Sequence, residues 1–275
     1  WSVGERGLIL HLEPNTLPSF LDRTFDAGAG VQSESSFALF ADIDGVGTRD
    51  LVLTKPFGRN SFLRADEGGT FRPMPLVSPQ INQLPNVMQA AIVDVDGDGW
   101  NDLVLRDDVL PGAASMQILR NLGGFRFWNA PVGVRPVDTD GWTVHGNMEV
   151  FDFDDDGDLD IYEVRMLSKG GGFPLPNLLH RNDGFGHFRT ESLHQRNGGA
   201  AWGWTNAVLA SDLTADGRTD IFALNSWGSG NMLYAKTADG TFIEVTEASG
   251  LAGDTHLGLT AISGDIDNDG ALDVL

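Results

Sequence analysis

Five short stretches of the chain carry carboxylates at spacings that suit metal chemistry. They read ADIDGVGTRDLVL (41–53), IVDVDGDGWNDLVL (92–105), VFDFDDDGDLDIY (150–162), LASDLTADGRTDIF (209–222) and ISGDIDNDGALDVL (262–275). All five follow one template, D-x-D-x-D-G-x-x-D and then apolar residues; they are loops one to five here, with positions counted from the first Asp. Carboxylates crowded into a few residues repel one another unless a cation sits among them. Ca²⁺ takes about 6–8 hard oxygen ligands at roughly 2.3–2.6 Å and tolerates irregular geometry. Asp at positions 1, 3 and 5 puts three short carboxylates on one side of a turning backbone. Gly at position 6 permits the sharp turn, and Asp at position 9 with a carbonyl near position 7 can close the shell.

The loops differ in completeness. Loops two, three and five hold every acidic position: Asp94, Asp96, Asp98 and Asp102; Asp152, Asp154, Asp156 and Asp160; Asp265, Asp267, Asp269 and Asp273. Loop four has Asp212, Asp216 and Asp220 but Thr214, a weaker neutral oxygen, at position 3. Loop one has Asp42, Asp44 and Asp50 but Val46 at position 5, which cannot ligate. The expectation is three full calcium sites, a fourth in loop four, and loop one as the least suited. An EF-hand is excluded, because it needs Glu at position 12 and flanking helices. Position 12 is Leu53, Leu105, Glu163 and Ala223 in the first four loops, and the flanks of Glu163 alternate as strands do.

These loops hold 20 of the 39 acidic residues, so half of the acid is local equipment. The formal charge of −21 argues against nucleic-acid binding and against docking on anionic lipid. Five calcium ions would bring it to −11, and three to −15. With no Cys, disulfides and thiolate metal sites are excluded. The first residue is Trp1, which suggests a processed chain or a fragment.

The elements that position the loops repeat with them. The first Asp falls at 42, 94, 152, 212 and 265, a period near 55. A second cassette follows: NSFLRADEGGTF (60–71), MQILRNLGGFRF (116–127), NLLHRNDGFGHF (177–188) and NMLYAKTADGTF (231–242). Each reads as a strand, a Gly-containing tight turn and a second strand opening at an aromatic residue. One repeat is therefore strand A, acidic loop, strand B, a variable connection, strand C, hairpin and strand D. That predicts an all-β fold, a β-propeller of four-stranded antiparallel blades.

On the loops, the cassettes and the segment TFIEVTEASGL (241–251), the chain resembles the FG-GAP/VCBS repeats of integrin-α-type calcium-binding β-propellers. The resemblance implies calcium in the A–B loops, an extracellular, cell-surface or periplasmic setting, and adhesion or ligand binding. The expected organisation is a single propeller domain with blades near 31–80, 81–135, 136–195 and 196–252. A fifth blade would be shared by 253–275 and 1–30, since Gly7–Leu12 resembles a strand C and SFLDRTFDAG (19–28) aligns with Thr241–Gly250. The rival is a fragment of a larger, for example seven-bladed, ring.

The face opposite the acidic loops carries long connections, 74–87, 129–146, 167–176, 193–205 and 225–230. Trp142, His145, Asn147, Trp202, Trp204, Asn206 and Trp227 on or beside them make a candidate site for a sugar or peptide, because flat aromatics bury apolar area and keep a polar edge. Packing of these Trp between blades is the competing reading. The leading expectation is a non-catalytic binding, adhesion or assembly module whose partner is a protein, a glycan or other chains of a surface assembly. The alternative is a carbohydrate-active enzyme of lyase or dehydratase type using His145 and His256. Nucleophile, zincin and Walker signatures are absent.

Overall fold

The computed structural model describes residues 2–3, 9–12, 20–22, 37–54, 60–74, 87–107, 116–129, 143–168, 177–192, 204–226, 230–250 and 260–275. Among them every regular element is a strand, and no helix is long and apolar enough to cross a membrane. The chain separates into two compact units, residues 1–109 with 114–132, and residues 110–113 with 133–275.

The first unit holds two complete blades. Blade one is β4 (Phe37–Ala41), β5 (Asp50–Thr54), β6 (Ser61–Ala65) and β7 (Phe71–Pro73); blade two is β8 (Val87–Val93), β9 (Asp102–Asp107), β10 (Met116–Asn121) and β11 (Phe127–Asn129). The second unit holds blade three, β12 (Thr143–Phe151), β13 (Asp160–Ser168), β14 (Leu178–Asn182) and β15 (Phe188–Ser192). It also holds blade four, β16 (Trp204–Ser211), β17 (Asp220–Ser226), β18 (Met232–Lys236) and β19 (Phe242–Glu244). Each is a four-stranded antiparallel sheet paired in chain order, A to D, as in a propeller blade. The D strands open at Phe71, Phe127, Phe188 and Phe242, as the cassettes predict.

Inside each unit the blades pack face to face, so their B strands are buried on both sides and read as apolar runs. All five residues of β5 are buried. Ile43 and Val52 of blade one share a core with Val87, Leu103, Leu119 and Phe127 of blade two. Tyr162 and Val164 of blade three share another with Val208, Ile221 and Ala223 of blade four. The innermost strands of neighbouring blades, β4 with β8 and β12 with β16, lie side by side.

Two partial sheets complete the described residues. In the first unit β1 (Ser2–Val3), β2 (Ile9–Leu12) and β3 (Phe20–Asp22) form a three-stranded antiparallel sheet, and the β2–β3 pair falls where the sequence predicts a C–D hairpin. In the second, β20 (Ser263–Gly264) pairs with β21 (Asp273–Val274) around loop five, and Ala261 and Val274 pack against the blade-four core.

The A strands begin earlier than the alternation suggests. Thr143 to Gly146, Trp204 and Thr205 belong to β12 and β16 rather than to connections, and Leu167 and Ser168 extend β13. The physical reason is a bulge near the start of three A strands, between Val87 and Gln89, between His145 and Met148, and between Thr205 and Ala207. An extra residue breaks the period-2 pattern on which a strand boundary is read.

Candidate metal centres

All five acidic loops are closed by the same ladder pair. The residue before position 1 faces the position-9 Asp: Ala41 with Asp50, Val93 with Asp102, Phe151 with Asp160, Ser211 with Asp220, and Gly264 with Asp273. The turn between them needs left-handed backbone at positions 4 and 6. Gly47, Gly99, Gly157, Gly217 and Gly270 supply position 6 at φ of 85 to 92°. Position 4 is Gly45, Gly97, Asp155, Ala215 and Asn268. Ala215, at φ 57°, is the member with neither a glycine's freedom nor a polar side chain. Ala215→Gly is expected to raise stability by about 0.5–1 kcal/mol, read as a higher midpoint in urea unfolding.

The position-1 carboxylate sits in a nest of backbone N–H groups. Asp94 Oδ1 accepts from Gly97 N at 2.8 Å and Asp98 N at 3.2 Å, and its Oδ2 accepts from Gly99 N at 2.8 Å. Asp42 and Asp152 repeat the arrangement, and Asp212 and Asp265 keep the bonds to positions 5 and 6.

The position-9 carboxylate ties the blade together. One oxygen accepts the position-2 N–H and the other accepts the N–H of the residue ending strand C. These bonds are Ile43 N and Ala65 N on Asp50 at 3.0 and 2.9 Å; Val95 N and Asn121 N on Asp102 at 3.1 and 2.7 Å; and Phe153 N and Asn182 N on Asp160 at 3.1 and 2.8 Å. Leu213 N and Lys236 N do the same on Asp220, at 2.9 and 3.0 Å. Asp50, Asp102 and Asp220 have no exposed surface. The spacing alone marks this residue as a ligand; the fold makes it a structural anchor with lone pairs left over.

Oxygen atoms of Asp42, Asp44 and Asp50, of Asp94, Asp96 and Asp102, of Asp152, Asp154 and Asp160, and of Asp265, Asp267 and Asp269 each converge within 4.8 Å. The donors are all carboxylate oxygens, which suits a hard divalent cation. Asp44 Oδ2 in loop one is buried without a hydrogen bond of good geometry; its charge partner is Arg64 Nε at 2.5 Å. Loop one, the least suited by sequence, is thus assembled, whereas Asp212, Asp216 and Asp220 of loop four are not among the groups that converge.

The electrostatics agree. Burial pushes Asp102 up to about 6, against the pull of the Asn121 and Val95 N–H groups. Burial also raises Asp50 and Asp160. Asp96 is raised by burial and by neighbouring Asp98, and Asp154 by burial and by Asp156, while Arg120 and Arg181 pull them back. Carboxylates kept reluctantly charged and close together are relieved by a cation.

The hairpin turns stand on the loop side of each blade. Trp100, at position 7 of loop two, lies against Gly45 of loop one and Gly123 of the blade-two turn, where an added Cβ would come within 2.5 and 3.0 Å of its ring. Trp100 is therefore a packing residue between loop one and the blade-two turn. Trp128 in β11 is instead half exposed.

Of the opposite-face candidates, Trp142, Trp202, Trp227 and His256 lie outside the described residues, as do the side chains of His145 in β12 and Trp204 in β16. Asn147 donates from Nδ2 to Val208 O and accepts from Val208 N, both at 2.7 Å, so its amide acts as one rung of a ladder between β12 and β16. Asn206 is the buried extra residue of the β16 bulge. Asn147 also donates to Glu149 Oε1 at 3.1 Å. Burial pushes Glu149 up to about 7.

The raised Glu149 value has a definite sign. A folded value above the unfolded one gives stability that is complete below the unfolded value of 4.5 and is lost as pH rises through about 7. Glu149→Gln is expected to leave stability unchanged near pH 4 and to raise it by roughly 2–3 kcal/mol at pH 8, read from denaturant midpoints across that range.

The description FG-GAP-like repeat matches residues 42–105, 94–163 and 212–275, together more than half of the chain. The chain belongs to the FG-GAP-like repeat family. Each FG-GAP-like match starts at position 1 of a loop and runs to strand B of the next repeat, so the family unit is centred on the acidic loops. No curated protein matches the sequence. Among solved structures, one titled "Crystal structure of BBS1N in complex with ARL6DN, soaked with lead" is similar at 14% identity and a TM-score of 0.42, over 78% of this chain. This chain spans 55% of that one's length.

Proposed function

We propose that this FG-GAP-like repeat protein is a calcium-stabilised extracellular propeller module that works by binding a protein or glycan, or by assembling with partner chains, and not by catalysis. The observation that carries the calcium reading is the convergence of carboxylate oxygens in loops one, two, three and five, each on a nest of backbone N–H groups. When bound, Ca²⁺ supplies positive charge that locks each A–B loop. Asp at positions 1, 3 and 5 would hold it where present, and the position-9 Asp would add its remaining lone pairs while anchoring strand C. Four ions, each adding two charges, would take the formal charge from −21 to −13. The interaction surface is then the connections opposite the metal loops, where Trp142, Trp202 and Trp227 occur and beside which Trp204 opens β16.

The test is a glycan and protein-ligand array probed with calcium-loaded protein, with turnover assayed on acidic polysaccharides in parallel. Binding without turnover supports the reading. Turnover lost in His145→Ala would replace it with the lyase alternative.

A further inference from the structure

Loop four departs from loops one to three in its acid, in the base that meets that acid, and in an internal cation. In blades one to three an arginine near the end of strand C meets the position-3 Asp of its own loop: Arg64 with Asp44, Arg120 with Asp96 at 3.2 Å, and Arg181 with Asp154. Each of these arginines directly precedes the residue whose N–H binds the position-9 Asp. In blade four that register belongs to Ala235, and position 3 is Thr214. The base has gone together with the acid.

Loop four also carries its own cation. Arg218, at position 7, pairs with Asp216 and donates from Nε to Lys236 O at 2.7 Å. Its side chain is one-third exposed, so the pair is partly shielded from solvent. Finally, Asp220 Oδ2 accepts two backbone N–H groups, Leu213 at 2.9 Å and Thr214 at 2.8 Å, besides the Lys236 N–H on Oδ1. Three of the roughly four acceptor sites of Asp220 are thus turned to backbone N–H groups, one more than the position-2 and strand-C pair alone would take, as at Asp50, which the Asp44 N–H also reaches.

We infer that loop four is a metal-free loop whose charge is closed by the Arg218 guanidinium instead of a calcium ion. Arg218 joins loop four to the end of strand C. Lys236, the residue it holds, is fully buried and extends its ammonium to Phe153 O at 2.8 Å and Asp155 at 2.6 Å. Blade four is therefore pinned to the loop of blade three by fixed cations, and this clasp persists when calcium is withdrawn. The inference rests on the calcium reading of the other loops and deepens it.

The experiment is calorimetric calcium titration of chelator-stripped wild type and three variants, with thermal melts in calcium and in EDTA. Asp94→Asn should lower the ion count by one and Asp212→Asn should leave it unchanged; a lost ion in Asp212→Asn overturns the inference. T214D/R218T, which restores the acid and removes the internal cation, should add one ion, and no gain in a folded variant counts against it. Arg218→Gln should lower the melting midpoint by the same few degrees in calcium and in EDTA; an unchanged midpoint in EDTA overturns the clasp. If wild type takes up no calcium, the reading of the other four loops fails, while the Arg218→Gln melt still decides the clasp.

Discussion

Withdrawing calcium is expected to lower the melting midpoint by roughly 10–20 °C, because the ions bind the native loops and not the unfolded chain. With a Kd of about 10⁻⁴ M at each site, 1 mM free calcium stabilises by about 1.4 kcal/mol per site. With loops one, two, three and five filled, the total is about 6 kcal/mol. The effect should return on adding back calcium and not magnesium, which demands near-ideal octahedral geometry and dehydrates reluctantly. Differential scanning calorimetry in EDTA, calcium and magnesium checks it; equal midpoints in calcium and EDTA would remove the metal from the account.

The second large effect belongs to the position-9 Asp. Asp102→Ala leaves Val95 N and Asn121 N, now satisfied at 3.1 and 2.7 Å, without acceptors in a buried place. Each orphaned donor costs about 1–3 kcal/mol, and relief of the buried charge offsets part of this, so a net loss of about 3 kcal/mol is expected. Because the backbone bonds do not depend on an ion, the loss should persist in EDTA. Asp98→Ala provides the contrast: at an exposed position 5 it should destabilise in calcium and be nearly silent in EDTA. Denaturant midpoints for both variants, with and without the ion, separate anchor from ligand. Equal behaviour of the two would show that Asp102 is no more than a ligand.

These expectations show what the sequence could and could not convey. The loops were legible because the spacing of oxygen donors and the left-handed turns restrict residue types at fixed positions. The blades were legible because loop, strand B and hairpin recur in one order, and all four D strands begin at a phenylalanine. The starts of β8, β12 and β16 were hidden because a bulge shifts the alternation, which is why Asn147 and Asn206 read as pre-strand polar residues.

The second role of the position-9 Asp was hidden because a ligand and a backbone anchor are the same residue type. A signal was present nonetheless. Positions 1 and 9 are Asp in all five loops, even where positions 3 and 5 lapse to Thr214 and Val46. Residues demanded by the backbone persist when individual ligands do not. The ranking of loops one and four turned on three-dimensional facts that the template does not include, the convergence of Asp42, Asp44 and Asp50 in one and the Arg218 partner of Asp216 in the other.

The most direct test of the account is the number of calcium ions bound per chain, counted by equilibrium dialysis with elemental analysis of the stripped and reloaded protein. Four are expected, one in each loop whose carboxylates converge. A count of zero would contradict the calcium-stabilised module, and a count of five would contradict the metal-free loop four.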